Sequence, residues 1–118
     1  MTKSMKRIHK VVITKAMDED ADDSYLEQKG FDNRARQYRD GLFGFIGIYA
    51  HAEYFADGNL RQIIKSGGLW GIESDSDAAY LKEIEQEQLS ELRDQLHAIG
   101  FGNRAINAAF RDLRREEN

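Results

Sequence analysis

From Ser76 to Ile99, the residues Leu81, Ile84, Leu89, Leu92, Leu96 and Ile99 recur at helical spacing and fall within one broad face at about 100° per residue. A helix of that length must bury its apolar face, and the rest of the chain offers strands to bury it against. Arg7 to Ala16 alternates around the β-branched centre Val11, Val12 and Ile13 and reads as a first strand. Leu42 to Phe55 reads as a long strand, with Phe45, Tyr49 and Phe55 on one parity and Ile46, Ile48, Ala50, Ala52 and Tyr54 on the other. Asp57-Gly58 supplies a turn, and Asn59 to Ser66 returns antiparallel through Leu60, Ile63 and Ile64.

Asp75, Ser76 and Asp77 stand where they can cap the long helix, and Gly100 where a left-handed residue ends it. Asn103 is expected to cap a last short helix with an apolar face of Ile106, Ala109, Phe110 and Leu113. Ser24 to Asp40 shows no sustained period and reads as irregular or partly helical. The glycines Gly67, Gly68 and Gly71 around Leu69-Trp70 read as a loop. At 118 residues the chain is a single α+β domain: an antiparallel sheet of three or more strands packed against the long helix, with a short terminal helix.

Charge is segregated. Met1 to Lys15 carries Lys3, Lys6, Arg7, Lys10 and Lys15 without an acid, whereas Asp18 to Asp23 holds five carboxylates in six positions. The long helix adds an outward stripe of Glu83, Glu87, Glu91 and Asp94. With a net charge of −4 and a pI near 5.4 the chain is poorly suited to neutralising phosphates, so a partner with a basic surface fits better than nucleic acid. Nucleic-acid binding would require Arg34, Arg36, Arg39 and the C-terminal arginines to converge on one face. No apolar run approaches a membrane span and no secretory leader precedes the first strand, which points to a cytoplasmic protein. The lack of cysteine removes disulfides, thiolate metal sites and cysteine nucleophiles.

Chemistry is sparse. The Ser66 to Asp77 segment has three glycines and the only tryptophan, but carboxylates follow where a phosphate cradle would need a lysine. Glu73, Asp75 and Asp77 read as helix-terminus acids rather than metal ligands, and Trp70 as a plug between sheet and helix. Asp18, Asp20 and Asp22 start like a calcium loop, but Asp23 and Lys29 occupy the places of its glycine and its bidentate glutamate, leaving a solvated acidic loop. His9, His51 and His97 lack helical metal-site spacing. His51 and Glu53 project from one strand face and read as a cross-strand polar pair. No cofactor or metal is expected. Glu85 and Gln88 fall near the leucine face, where an uncompensated carboxylate is costly, so Glu85 is expected to pair with a lysine or arginine of the sheet.

The Ser66 to Asp77 run, followed by Tyr80-Leu81 and by Glu91-Leu92 through Gly100-Phe101, resembles a widespread family of small, mostly uncharacterised proteins of bacteriophages, prophages and bacteria. That family carries an SGGLWGIESDS-type signature after a strand like Ile48-Tyr49-Ala50-His51-Ala52-Glu53. The likeness spans Gly47 to Phe101, with a weaker echo at Asp22-Asp23-Ser24-Tyr25-Leu26. It implies a phage, prophage or bacterial origin and a site of action in the bacterial host cell, without bringing a reaction or a catalytic residue. By analogy with small phage proteins, the expectation is a non-catalytic accessory factor that binds a host protein, as anti-CRISPR or anti-restriction inhibitors do. Its contact surface would comprise Trp70, Glu73, Asp75, Glu83, Glu87, Glu91 and Asp94. The competing expectation is a small enzyme or ligand binder using His51, Glu53, Trp70 and Asp75, which requires a pocket bringing His51 or Glu53 to the Trp70 segment.

Overall fold

The computed structural model describes Arg7 to Glu117; Lys3 and Lys6 of the basic N-terminal run lie outside those residues. Strand β1 (Arg7–Met17) is followed by a 3-10 turn (Ser24–Glu27) and helix α1 (Asp32–Arg39). Next come β2 (Phe45–Ala56), a 3-10 turn (Asp57–Asn59), β3 (Leu60–Lys65) and β4 (Leu69–Glu73). The long helix α2 (Ala78–Ala98), the short α3 (Asn103–Arg111) and β5 (Arg114–Glu117) complete the α+β domain.

The alternating apolar parity of β2 makes it the centre of the sheet. β1 runs antiparallel along one side of it, from Arg7↔Phe55 to Met17↔Ile46, with an irregularity between Ile8 and Lys10. β3 and β4 lie end to end along the other side, β3 against His51 to Ala56 and β4 against Phe45 to Ile48. The expected hairpin is present, although Asn59 takes a positive φ of 62° in its turn. β5 pairs parallel with β1, from Val12↔Arg114 to Lys15↔Glu117, so the sheet is mixed rather than wholly antiparallel. A run of Arg, Arg, Glu and Glu carries no apolar alternation, which is why this edge strand has no sequence signal.

Three boundaries differ from the sequence expectation. Leu42 lies outside β2 and is exposed, because the chain from α1 reaches the sheet only at Phe45. The segment from Leu69 is a strand, not a loop: Gly71 (φ 73°) sits where the register against β2 shifts, and the pairing continues past it. Asn103 is the first helical residue of α3, and Gly102 holds the cap position without a side-chain bond. The start of α2 is better marked: the Asp77 side chain accepts from the Ala79 N–H, and Gly100 at φ 108° follows its end.

One sheet face carries Val11, Ile13, Ile48, Ala50, Ala52 and Ile72 into the main core. α2 lays Ile84, Leu89, Leu92 and Leu96 on them, and Phe101 and Ile106 extend the layer through α3. Burial of each valine, leucine, isoleucine or phenylalanine among them contributes about 1.5–3 kcal/mol before the entropy of ordering it. A smaller cluster of Leu26, Phe43 and Phe45, with Tyr25, Ala35 and Tyr38 against it, fastens the first turn and α1 to one end of the sheet. Exposed Ile63 and half-exposed Trp70 lie on strands whose opposite face is the one the helices cover.

The junction between β3 and β4 is sealed by polar groups. Ser66 N–H donates to the Ala50 carbonyl at 2.8 Å, and Ser66 Oγ accepts from Ala50 N–H at 2.9 Å. Ser66 Oγ–H in turn donates to Gln88 Oε1 at 2.7 Å, which also accepts from Gly68 N–H at 2.9 Å. One turn further along α2, both Glu91 oxygens lie 3.2 Å from Gly67 N–H, and Gln95 Nε2 donates to the Lys65 carbonyl at 2.9 Å. Ser66 and Gln88 are both buried, so their groups have no water to turn to. Gln88→Leu leaves the Ser66 hydroxyl and the Gly68 amide without their acceptor; urea denaturation should show a loss of about 2–3 kcal/mol, the cost of stranding buried polar groups.

Candidate partner-binding surface

α2 presents Glu83, Glu87, Glu91 and Asp94 to solvent, each exposed. Intervals of four, four and three residues put their carboxylates on one line along the helix. Packing of Ile84, Leu89, Leu92 and Leu96 onto the sheet, together with the Gln88 and Glu91 bonds, fixes the rotation of α2 and therefore the direction of the stripe. Arg93 is turned away: it donates to Asn107 at 2.8 Å and lies 4.4 Å from the centre of the Phe110 ring. Among the described residues no lysine, arginine or histidine forms an ion pair with any of the four acids.

The other predicted acids are placed differently. Arg34 of α1 grips Asp75 with two bonds of 2.9 Å and lies 3.1 Å from Glu73, whose other bond is from the Tyr25 hydroxyl at 2.7 Å. Arg34 beside Asp75 holds that carboxyl below its ordinary value. Burial, then the bond to Glu73, pushes the Tyr25 hydroxyl up to about 12. Glu73 and Asp75 thus tie the first turn and α1 to the end of β4, and their charge is neutralised within the chain. Charge spacing alone could not reveal this, because Arg34 stands 41 residues from Asp75.

Glu85 forms the expected ion pair, with Arg115 of β5 as its partner. The expected His51–Glu53 pair is absent. Glu53 is 3 % exposed and is held from both sides by Lys10, at 2.9 Å, and Arg61. The Lys10 bond, with Arg61 assisting, holds the Glu53 carboxyl below its ordinary value. Register explains the exchange: β1 sets Lys10 opposite Glu53, whereas a residue two positions along the same strand has no direct cross-strand contact with it.

Trp70 is not the expected plug between sheet and helix. It stacks on Tyr49 with ring centres 5.9 Å apart and planes at 25°, is 48 % exposed, and lies over Gly47, where a Cβ would occupy the ring itself. The bulge at Gly71 and the missing side chain at Gly47 put the indole on the face away from α2. Neither signal is visible without the register of β4. Asp18, expected in a solvated acidic loop, accepts from Gly71 N–H at 2.7 Å and so helps fix the Trp70 segment.

The residues of the competing ligand-binding arrangement do not converge. Glu53 is engaged by Lys10 and Arg61, Asp75 by Arg34, and the groove beside Trp70 is lined by Met17 to Asp20 and not by His51 or Glu53. No group of three or more His, Asp or Glu side chains among them has metal-holding geometry, and no described helix is long and apolar enough to cross a membrane.

His51 has one measurable consequence. Its Nδ1 is buried without a hydrogen-bond partner, and burial holds the imidazole below its ordinary value of 6.5, against the opposing pull of Glu53 and Glu116. Below that pH the unfolded chain takes up a proton that the folded chain refuses, so stability falls as the medium is acidified. The urea midpoint should decline between about pH 6.5 and pH 5, ahead of the window in which carboxylates are protonated, and His51→Gln should flatten that part of the profile. Comparison with protein-family models, curated proteins and solved structures returned no match.

Proposed function

We propose that the chain is a non-catalytic accessory protein that occupies a basic surface of a host protein through the exposed face of α2, in the manner of phage or prophage inhibitors of restriction or CRISPR complexes. One observation carries this reading: among the described residues Glu83, Glu87, Glu91 and Asp94 have no ion-pair partner, while Glu53, Glu73, Asp75 and Glu85 are each held by an arginine or lysine. A rigid row of unpaired carboxylates offers a basic cleft what a nucleic-acid backbone offers it, fixed negative charge at regular intervals. The helix is already anchored, so docking costs little backbone ordering.

The stripe is also separable from the fold, because Glu83, Glu87 and Asp94 take no part in the bonds that seal the sheet. Glu83→Lys/Glu87→Lys/Asp94→Lys should keep the wild-type circular dichroism spectrum and urea midpoint. Used as bait against host cytosol, the wild-type protein should retain a basic protein at low salt that the reversed variant loses, with affinity down by about tenfold or more, as expected when complementary charges become like charges. Equal capture by the two baits would remove α2 from the interface.

A further inference from the structure

The face away from α2 carries a second arrangement, independent of the stripe. Trp70 stacks on Tyr49 and lies over Gly47, and 48 % of it stays exposed to solvent. Met17, Asp18, Glu19 and Asp20 form the other wall of an open groove of about 550 Å³ beside that ring. The wall is fixed: Asp18 N–H donates to the Phe45 carbonyl at 2.9 Å, while its carboxylate accepts from Gly71 at 2.7 Å and from Asp20 N–H at 3.2 Å. The Glu19 and Asp20 side chains are exposed and form no ion pair among the described residues.

Elsewhere the chain sets its own cations over its rings: Arg34 over Phe43, Arg7 over Phe55, Arg93 over Phe110 and Lys65 over Tyr49. Indole is the strongest cation acceptor of the aromatic side chains, yet among the described residues no cation lies over Trp70. An aromatic plane beside unpaired carboxylates is complementary to a guanidinium, whose flat face stacks on the ring while its N–H groups reach the oxygens. We infer that the groove between Trp70 and Met17–Asp20 is a subsite for an arginine side chain of a bound peptide segment. The juxtaposition is a product of the fold, since 50 residues or more separate its two walls.

The chain contains a single tryptophan, so emission excited at the red edge, where tyrosine does not absorb, reports on this groove. Titration with acetyl-tri-arginine amide should give a saturable change in Trp70 emission, and the citrulline analogue, equal in shape but uncharged, should give none. Glu19→Gln/Asp20→Asn should weaken the arginine response by about tenfold, two exposed charge contacts being lost; Glu19→Gln alone should give part of that loss. Neutralising α2 as Glu83→Gln/Glu87→Gln/Asp94→Asn should leave the response unchanged, so the groove can fail while the stripe stands, and the reverse. The inference is overturned by no saturable response to tri-arginine, by an equal response to tri-citrulline, by wild-type behaviour of the Glu19/Asp20 variants, or by a response that vanishes only when α2 is neutralised.

Discussion

The bond from Ser66 to Gln88 governs the geometry of this molecule. β3 and β4 share one side of β2, and a chain that leaves one strand and begins the next along the same edge has to strand backbone groups at the joint. Gln88 receives the Gly68 N–H and Glu91 the Gly67 N–H, both from the helix that covers the joint, and Gln88 also accepts from the Ser66 hydroxyl. Because Gln88 lies among the leucines, the contact fixes both the rotation and the axial position of α2. An all-leucine face could slide on a flat aliphatic sheet at little cost, whereas a buried polar contact admits one registration.

The same principle operates at the margins. Arg34, Tyr25, Glu73 and Asp75 join α1 and the first turn to the end of β4, and Lys10, Glu53 and Arg61 stitch three strands together across the uncovered face. Acids used in this way lose their value for recognition. The division between acids bound inside the fold and acids left to water gives the surface its meaning, and net charge alone conceals it.

The sequence discloses the elements with a strong period and little of what lies between them. Leu81 through Ile99 announces α2, and the parity of Phe45 to Tyr54 announces β2, because each repeat follows from one geometry, 3.6 or 2 residues. β5 is silent, since its edge position demands no apolar alternation. β4 is disguised by Gly71, a residue that breaks a strand in most contexts and here only offsets it, and by Gly67 and Gly68 just before it. Of the candidate surface, the four helix acids follow from periodicity, whereas the fates of Glu73, Asp75, Glu53 and Trp70 depend on partners 8 to 48 residues away, which no local pattern encodes.

The Glu85–Arg115 pair ties the packing of α2 to the pairing of β5. Glu85 sits in the face of α2 that meets the sheet, and its countercharge comes from β5, about 100 residues downstream of the strand that β5 joins. With α2 packed and β5 undocked, that carboxylate would lie in an apolar seam without Arg115 to balance it. Joining β5 to β1 brings Arg115 to Glu85, so the two ends of the described chain meet where that buried carboxylate needs its countercharge.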